Sequence, residues 1–157
     1  RYNDRKMYRG GNLMEEELKR AILLDNYQDP HNKGLSSDEG YLSIHNASDS
    51  CIDDITVQLK IEDNIIKDVR YDGVGCTICI GSCSIMSDLL IGKTIAEGKN
   101  ILNNYFNMIN ETGSFDPELL EEANAFDTLS KQANRIKCGT IGVKAMSDLI
   151  DEYERTE

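Results

Sequence analysis

The hydrophobic period of this chain switches from helical to alternating and back, and the alternating stretch limits the fold more than any other feature. Ile55, Val57, Leu59 and Ile61 alternate with Thr56, Gln58 and Lys60, the two-residue repeat of a strand with one buried face. Glu62-Asp63-Asn64 reads as a hairpin turn, and residues 66–71 return as a second strand. A third strand is expected over 41–45, giving a small antiparallel sheet.

Helical spacing surrounds this sheet. Leu18, Ala21, Ile22 and Asp25 fall three and four apart, so residues 15–27 read as an amphipathic helix with acids in its first turn. Pro30 and Gly34 end it. A second helix is expected from Thr77 through Ile91, stopped by Gly92-Lys93, and a third from Ile95 to Met108. Ser114-Phe115-Asp116-Pro117 looks like another helix start, with proline near the first helical position. Ile141, Ala145, Leu149 and Tyr153 repeat at four-residue steps, placing a last helix over about 140–153 with Cys138 at its start. The expected class is therefore α+β, a three-stranded antiparallel sheet packed by helices.

The chain has 157 residues, and residues 14–157 are expected to form a single domain with a core of its own. Residues 1–13 read as a basic leader or vector remnant, because Met14 followed by three glutamates looks like a natural helix start. That stretch holds Arg1, Arg5, Lys6 and Arg9 against Asp4, so the other 144 residues carry −14 although the whole chain is at −11. Such a surface repels a nucleic-acid duplex or an anionic membrane and favours a basic protein surface or a positively charged small group. No apolar run approaches the ~20 residues that cross a bilayer. An odd count of five cysteines suits a reducing compartment, so a cytoplasmic location is expected.

Four metal-capable residues stand out. Cys51 and Asp53 flank Ile52, Cys76 follows Gly73-Val74-Gly75, and Cys138 closes Arg135-Ile136-Lys137-Cys138. Three thiolates and a carboxylate make a plausible tetrahedral zinc set. Cys76 at a helix start would have its thiol pKa lowered by free N–H groups and the helix dipole. Read singly, each cysteine is equally a small buried hydrophobe. Cys76, Cys79 and Cys83 lie at i, i+3 and i+7, which fits a redox pair, three cluster ligands or a core stripe, the last being the preferred reading because Ile80, Ile85 and Met86 bury the same helix. Gly73-Val74-Gly75 lacks the third glycine of a dinucleotide fold, and His31 and His45 read as ordinary polar residues.

Several segments in fixed order resemble one family, the SufU-type sulfur-transfer proteins related to the iron–sulfur scaffold IscU. Residues 25–34, DNYQDPHNKG, are similar to its D-H-Y-x-N-P-R-N-x-G segment. Cys51-Ile52-Asp53 sits where the family has C-G-D, Gly73-Val74-Gly75-Cys76 matches its approach to the second cysteine, and Arg135-Ile136-Lys137-Cys138 matches R-x-K-C. The similarity covers about residues 15–155. IscU scaffolds usually carry histidine before the third cysteine, where this chain has Lys137, and the stretch from Gly92 to Arg135 has the greater length of the SufU branch.

The resemblance implies an α+β SufU/IscU-like fold and a zinc ion held by Cys51, Asp53, Cys76 and Cys138, with Cys51 accepting sulfur. The donor would be the persulfide of a SufS-type, pyridoxal-phosphate-dependent cysteine desulfurase, and the recipients downstream iron–sulfur scaffold proteins. Arg135 and Lys137 could partly offset the negative charge of the donor set. Two other roles fit the same residues: a scaffold assembling a [2Fe–2S] cluster, and a zinc-stabilised binding module without turnover. The chain departs from the family at Ile52 for glycine, at Asn26 and His31 for histidine and arginine, and by adding Cys79 and Cys83. A β-branched residue disfavours positive φ, so the Cys51 loop is expected to be stiffer than a glycine-bearing one.

Overall fold

The three expected strands form, and the two-residue turn between the longer pair sets their register. The computed structural model describes residues 15–49 and 52–157; the expected leader over 1–13 and Cys51 lie outside the described residues. Strands β1 (Tyr41–Ala47), β2 (Asp54–Glu62) and β3 (Ile65–Val74) make an antiparallel sheet in the order β1-β2-β3. Asp63 and Asn64 both take positive φ, as a tight hairpin turn of two central residues demands.

Along β2, Ile55, Val57 and Leu59 are fully buried, and the residues between them are half-buried on the other face. Strand β3 does not keep strict alternation. Lys60 pairs with Asp68 and Ile61 with Ile66, so Lys67 is an extra residue, and this bulge returns Ile66 to the buried face shared by Val69 and Tyr71. Each such aliphatic side chain contributes roughly 1.5–3 kcal/mol on burial.

Helices cover that buried face. They are α1 (Glu16–Gln28), α2 (Thr77–Leu90), α3 (Ile95–Asn110), the short α4 (Pro117–Leu120) and α5 (Ala133–Thr156). Helix α2 is the central one: Cys79, Cys83, Met86 and Leu90 are all fully buried, and the helix packs against α1, α5 and β3. Helix α5 crosses β1 and β2 and touches α2 and α3. Helix α3 starts with a reciprocal cap, Thr94 Oγ1 accepting from the Glu97 N–H at 3.1 Å while Glu97 Oε1 accepts from the Thr94 N–H at 2.9 Å.

Two sequence expectations change. The helix begun by Pro117, with Asp116 as its cap, lasts a single turn and gives way to 3-10 turns at Glu121–Phe126 and Leu129–Lys131. Glu121 at φ 45° marks the break. Helix α5 begins at Ala133 rather than near Thr140, so Cys138 lies in its second turn and not at its start. The 3-10 segment is tied to α1 and α2 by a buried amide: Asn26 Nδ2 donates to Glu122 at 3.0 Å, and Asn26 Oδ1 accepts from the Ser84 hydroxyl at 2.7 Å. Among the described residues no helix is long and apolar enough to cross a membrane.

Candidate metal centre

The β2–β3 register delivers two of the expected ligands to one place. Asp54 pairs with Val74, so Asp53, one residue before β2, meets Gly75-Cys76, just past β3. The contact is direct: the Cys76 N–H donates to Asp53 Oδ1 at 2.9 Å, and Cys76 Sγ lies 4.0 Å from Asp53 Oδ2. Gly73 makes the approach possible, because at φ +135° an added Cβ would stand 2.1 Å from the Asp54 carbonyl oxygen. Cys76 then serves as the N-cap of α2, its Sγ accepting from the Cys79 N–H at 3.5 Å. It flanks the helix as a cap rather than opening it as a helical residue.

Helix α5 supplies the third donor. A carboxylate oxygen of Asp53 and the sulfurs of Cys76 and Cys138 all lie within 4.8 Å of one another. Asp53 is 1% and Cys138 4% exposed, whereas Cys76 is half-buried. Burial, helped by hydrogen bonds to Cys76 and Asp53, pushes the Cys138 thiol well above its ordinary pKa. A metal ion binding here therefore has to displace a proton held by its surroundings.

The fourth expected donor, Cys51, lies outside the described residues and stands two positions before Asp53 in the sequence. The Ser48 N–H donates to the Asp53 carbonyl at 2.8 Å, so the chain on either side of Cys51 is drawn together. Ile52, the neighbour of Asp53, and Val74, paired with Asp54, are apolar residues 66% and 61% exposed.

The three donors fit zinc. A tetrahedral ion with bonds of ~2.3 Å to sulfur and ~2.1 Å to oxygen puts its donors ~3.5–3.8 Å apart, close to the Cys76–Asp53 separation. Two soft sulfurs and one carboxylate, with Cys51 adjacent in sequence, match the donor chemistry that zinc takes in proteins.

Other singled-out residues fall elsewhere. Arg135 and Lys137 are exposed on the first turns of α5. His31 pairs with Asp88 and His45 with Asp54, and neither belongs to the cluster. Cys79 and Cys83 are fully buried core residues, the stripe preferred from the sequence. A hydrogen bond with Cys83, together with burial, drives the Cys79 thiol far above its ordinary pKa. Sequence reasoning missed the backbone donors of Cys76 and Cys79 that face Asp53 and Cys76; the glycines before Cys76 were their one visible trace.

A three-stranded antiparallel sheet with helices on one face defines an α+β class, here carrying a Cys/Asp cluster where a hairpin's ends meet two helices. Residues 18–157 match the family model described as the NifU-like N-terminal domain, and the chain belongs to that family. It is 30% identical over 139 residues to the zinc-dependent sulfurtransferase SufU of Bacillus subtilis, covering 88% of this chain and 93% of that one. It is 29% identical over 130 residues to the iron–sulfur cluster assembly scaffold protein IscU of Streptococcus pyogenes, covering 83% and 80%. Among solved structures, the crystal structure of a hypothetical protein superposes with a TM-score of 0.78 at 28% identity, over 87% of this chain and 99% of the other.

Proposed function

We propose that this protein is a zinc-dependent sulfur acceptor in iron–sulfur cluster assembly, receiving persulfide sulfur from a SufS-type cysteine desulfurase on Cys51. The observation that carries the reading is the convergence of Asp53, Cys76 and Cys138. Similarity to a relative named as a zinc-dependent sulfurtransferase supports the same choice.

Zinc, when bound by Cys51, Asp53, Cys76 and Cys138, keeps its thiol ligands deprotonated at neutral pH. The Cys51 thiolate attacks the terminal sulfur of the incoming persulfide; the donor's S–S bond breaks and its electron pair returns to the desulfurase cysteine as thiolate. Cys51 ends as the persulfide, carrying the transferred sulfur and its proton. Asp53 stays in place through the Cys76 N–H during this exchange. The exposed Ile52 and Val74 offer the desulfurase an apolar contact around the acceptor. Arg135, one turn before Cys138, lends long-range positive charge to a donor set whose formal charge with zinc is about −2. Sulfur then passes to downstream scaffold proteins.

The test combines purified protein, a SufS-type desulfurase and cysteine. Alanine output should rise, and mass spectrometry should find one added sulfur on Cys51. Cys51→Ser should remain folded and lose both signals; sulfur that still accumulates on Cys79 or Cys83 in that variant overturns the assignment.

A second reading has an observation of its own, similarity to relatives named as cluster assembly scaffolds. A scaffold would build a [2Fe–2S] cluster on much the same residues. Anaerobic addition of iron and sulfide separates the two: cluster absorbance supports the scaffold, and retained zinc supports the acceptor.

A further inference from the structure

The three described donors are anchored unequally. Asp53 is held by strand pairing and by the Cys76 N–H, and Cys76 is held as the cap of α2. Cys138 has neither device. Helix α5 has Gln132 at its N-cap with no side-chain cap bond, and residues 133–135 and 137 are exposed. Cys138 and Gly139 are the first fully covered residues of that helix, so what fixes them fixes the third donor.

The fixing group lies on α3. Tyr105 is 1% exposed, and its hydroxyl donates to the Gly139 carbonyl at 2.6 Å. A helix carbonyl has a second lone pair to accept such a bond. Gly139 itself is hemmed in: an added Cβ would meet Leu129 Cδ1 at 2.7 Å, Tyr105 Oη at 3.5 Å and Ile78 Cγ2 at 3.7 Å. Ile78 belongs to the first turn of α2, two residues from Cys76, so this one contact site clamps the Cys138 turn to the helix carrying the other sulfur. The Tyr105 ring is set edge-on against Phe126, with centroids 6.4 Å apart, a packing contact in which the hydroxyl takes no part.

We propose that Tyr105 is a positioning residue of the metal centre, its buried hydroxyl holding the Gly139 carbonyl so that the Cys138 sulfur stays within bonding reach of the ion shared with Asp53 and Cys76. The inference rests on the metal-centre reading. Groups that orient ligands without touching the metal commonly govern affinity by about ten- to a hundred-fold.

The experiment is competition of zinc between a chelator and the full chain, with Co2+ spectra as a second probe, in wild type, Tyr105→Phe and Phe126→Leu. Tyr105→Phe should bind zinc about ten-fold more weakly and change the Co2+ ligand-field bands. Phe126→Leu, which loosens the same packing but leaves the hydroxyl, should lower the melting temperature and leave zinc affinity within about two-fold of wild type. Tight wild-type binding with an unchanged dissociation constant in Tyr105→Phe overturns the positioning role. Wild type without tight binding overturns the metal-centre reading and this inference with it. Should Tyr105→Phe not fold, 3-fluorotyrosine at position 105 keeps the hydroxyl. Fluorination makes that hydroxyl a more acidic donor, so the zinc dissociation constant must shift from that of wild type, and an unchanged constant overturns the proposal.

Discussion

Cys76 and Cys83 stand on the same face of the same stretch of chain, two helical turns apart, and share almost nothing else. Cys76 caps α2, half-buried beside a carboxylate and a second thiol. Cys83 is fully buried, with Gly142 of α5 pressed so close that a Cβ there would come within 2.1 Å of its sulfur. Cys79, between them, is buried as completely as Cys83. One element therefore carries a half-buried sulfur among polar groups at its end and fully buried sulfurs along its body. Chemistry here follows position on the helix: free N–H groups and polar neighbours at the cap, apolar packing beyond it.

The largest expected effect breaks the polar end. Cys76→Ser and Cys138→Ser should each lower zinc affinity by at least about a hundred-fold, a loss larger than that for a group merely orienting a ligand. Elemental analysis of protein purified without added metal checks this: about one zinc per chain in wild type and little in either variant. The metal-free variants should melt close to metal-free wild type, because the apolar body of α2 is untouched. A loaded wild type that melts no higher than its metal-free form would show that zinc contributes nothing to the fold.

The next effect breaks the apolar body. Gly142→Ala puts a methyl group into the Cys83 sulfur, and the expected cost is about 1–3 kcal/mol, net of the helix propensity alanine adds. Urea melts should show the loss, and adding Cys83→Ala should recover most of it by vacating the space. Zinc content should hold in both. A loss of zinc in Gly142→Ala would mean that strain travels along α2 or α5 to the cluster, and the two ends would then not be independent.

These expectations use features that were unequally legible in the sequence. The β2–β3 hairpin was readable because Ile55, Val57, Leu59 and Ile61 keep a strict two-residue period. Its bulge was not, since Lys67 differs from its neighbours only in being unpaired. The start of α5 was misplaced for a related reason. Periodicity reports where a helix becomes buried, and Ala133–Lys137 form turns that are almost wholly exposed and so leave no apolar repeat. The family resemblance named Asp53, Cys76 and Cys138, and the structure brings those three together. Tyr105 could not be found that way, because its partner is a backbone carbonyl and no residue type marks one.

A smaller effect sharpens the contrast between the sulfurs. Cys79→Ala should cost about 1 kcal/mol, the loss of one small buried group, and leave zinc content unchanged. Thiol labelling of the metal-free protein should modify Cys76 quickly. Cys79 and Cys83 should react only when the domain opens, slower by several orders of magnitude for a fold of ordinary stability. Labelling of all three at one rate would place Cys79 and Cys83 within reach of solvent and return the redox-pair reading of this helix.

The smallest expected effect concerns charge at the rim. Arg135 and Lys137 stand on exposed turns just before Cys138, where solvent and salt screen their field. Arg135→Gln should therefore weaken zinc binding by no more than about three-fold, under ~0.7 kcal/mol, and the difference should shrink as ionic strength rises. The same variant tests sulfur transfer separately. If Arg135 acts on the encounter with a desulfurase, the concentration of partner needed for half-maximal alanine output should rise while the maximal rate holds. A fall in the maximal rate at saturating desulfurase would move Arg135 from the rim into the reacting site, and the polar end of α2 would extend onto the first turns of α5.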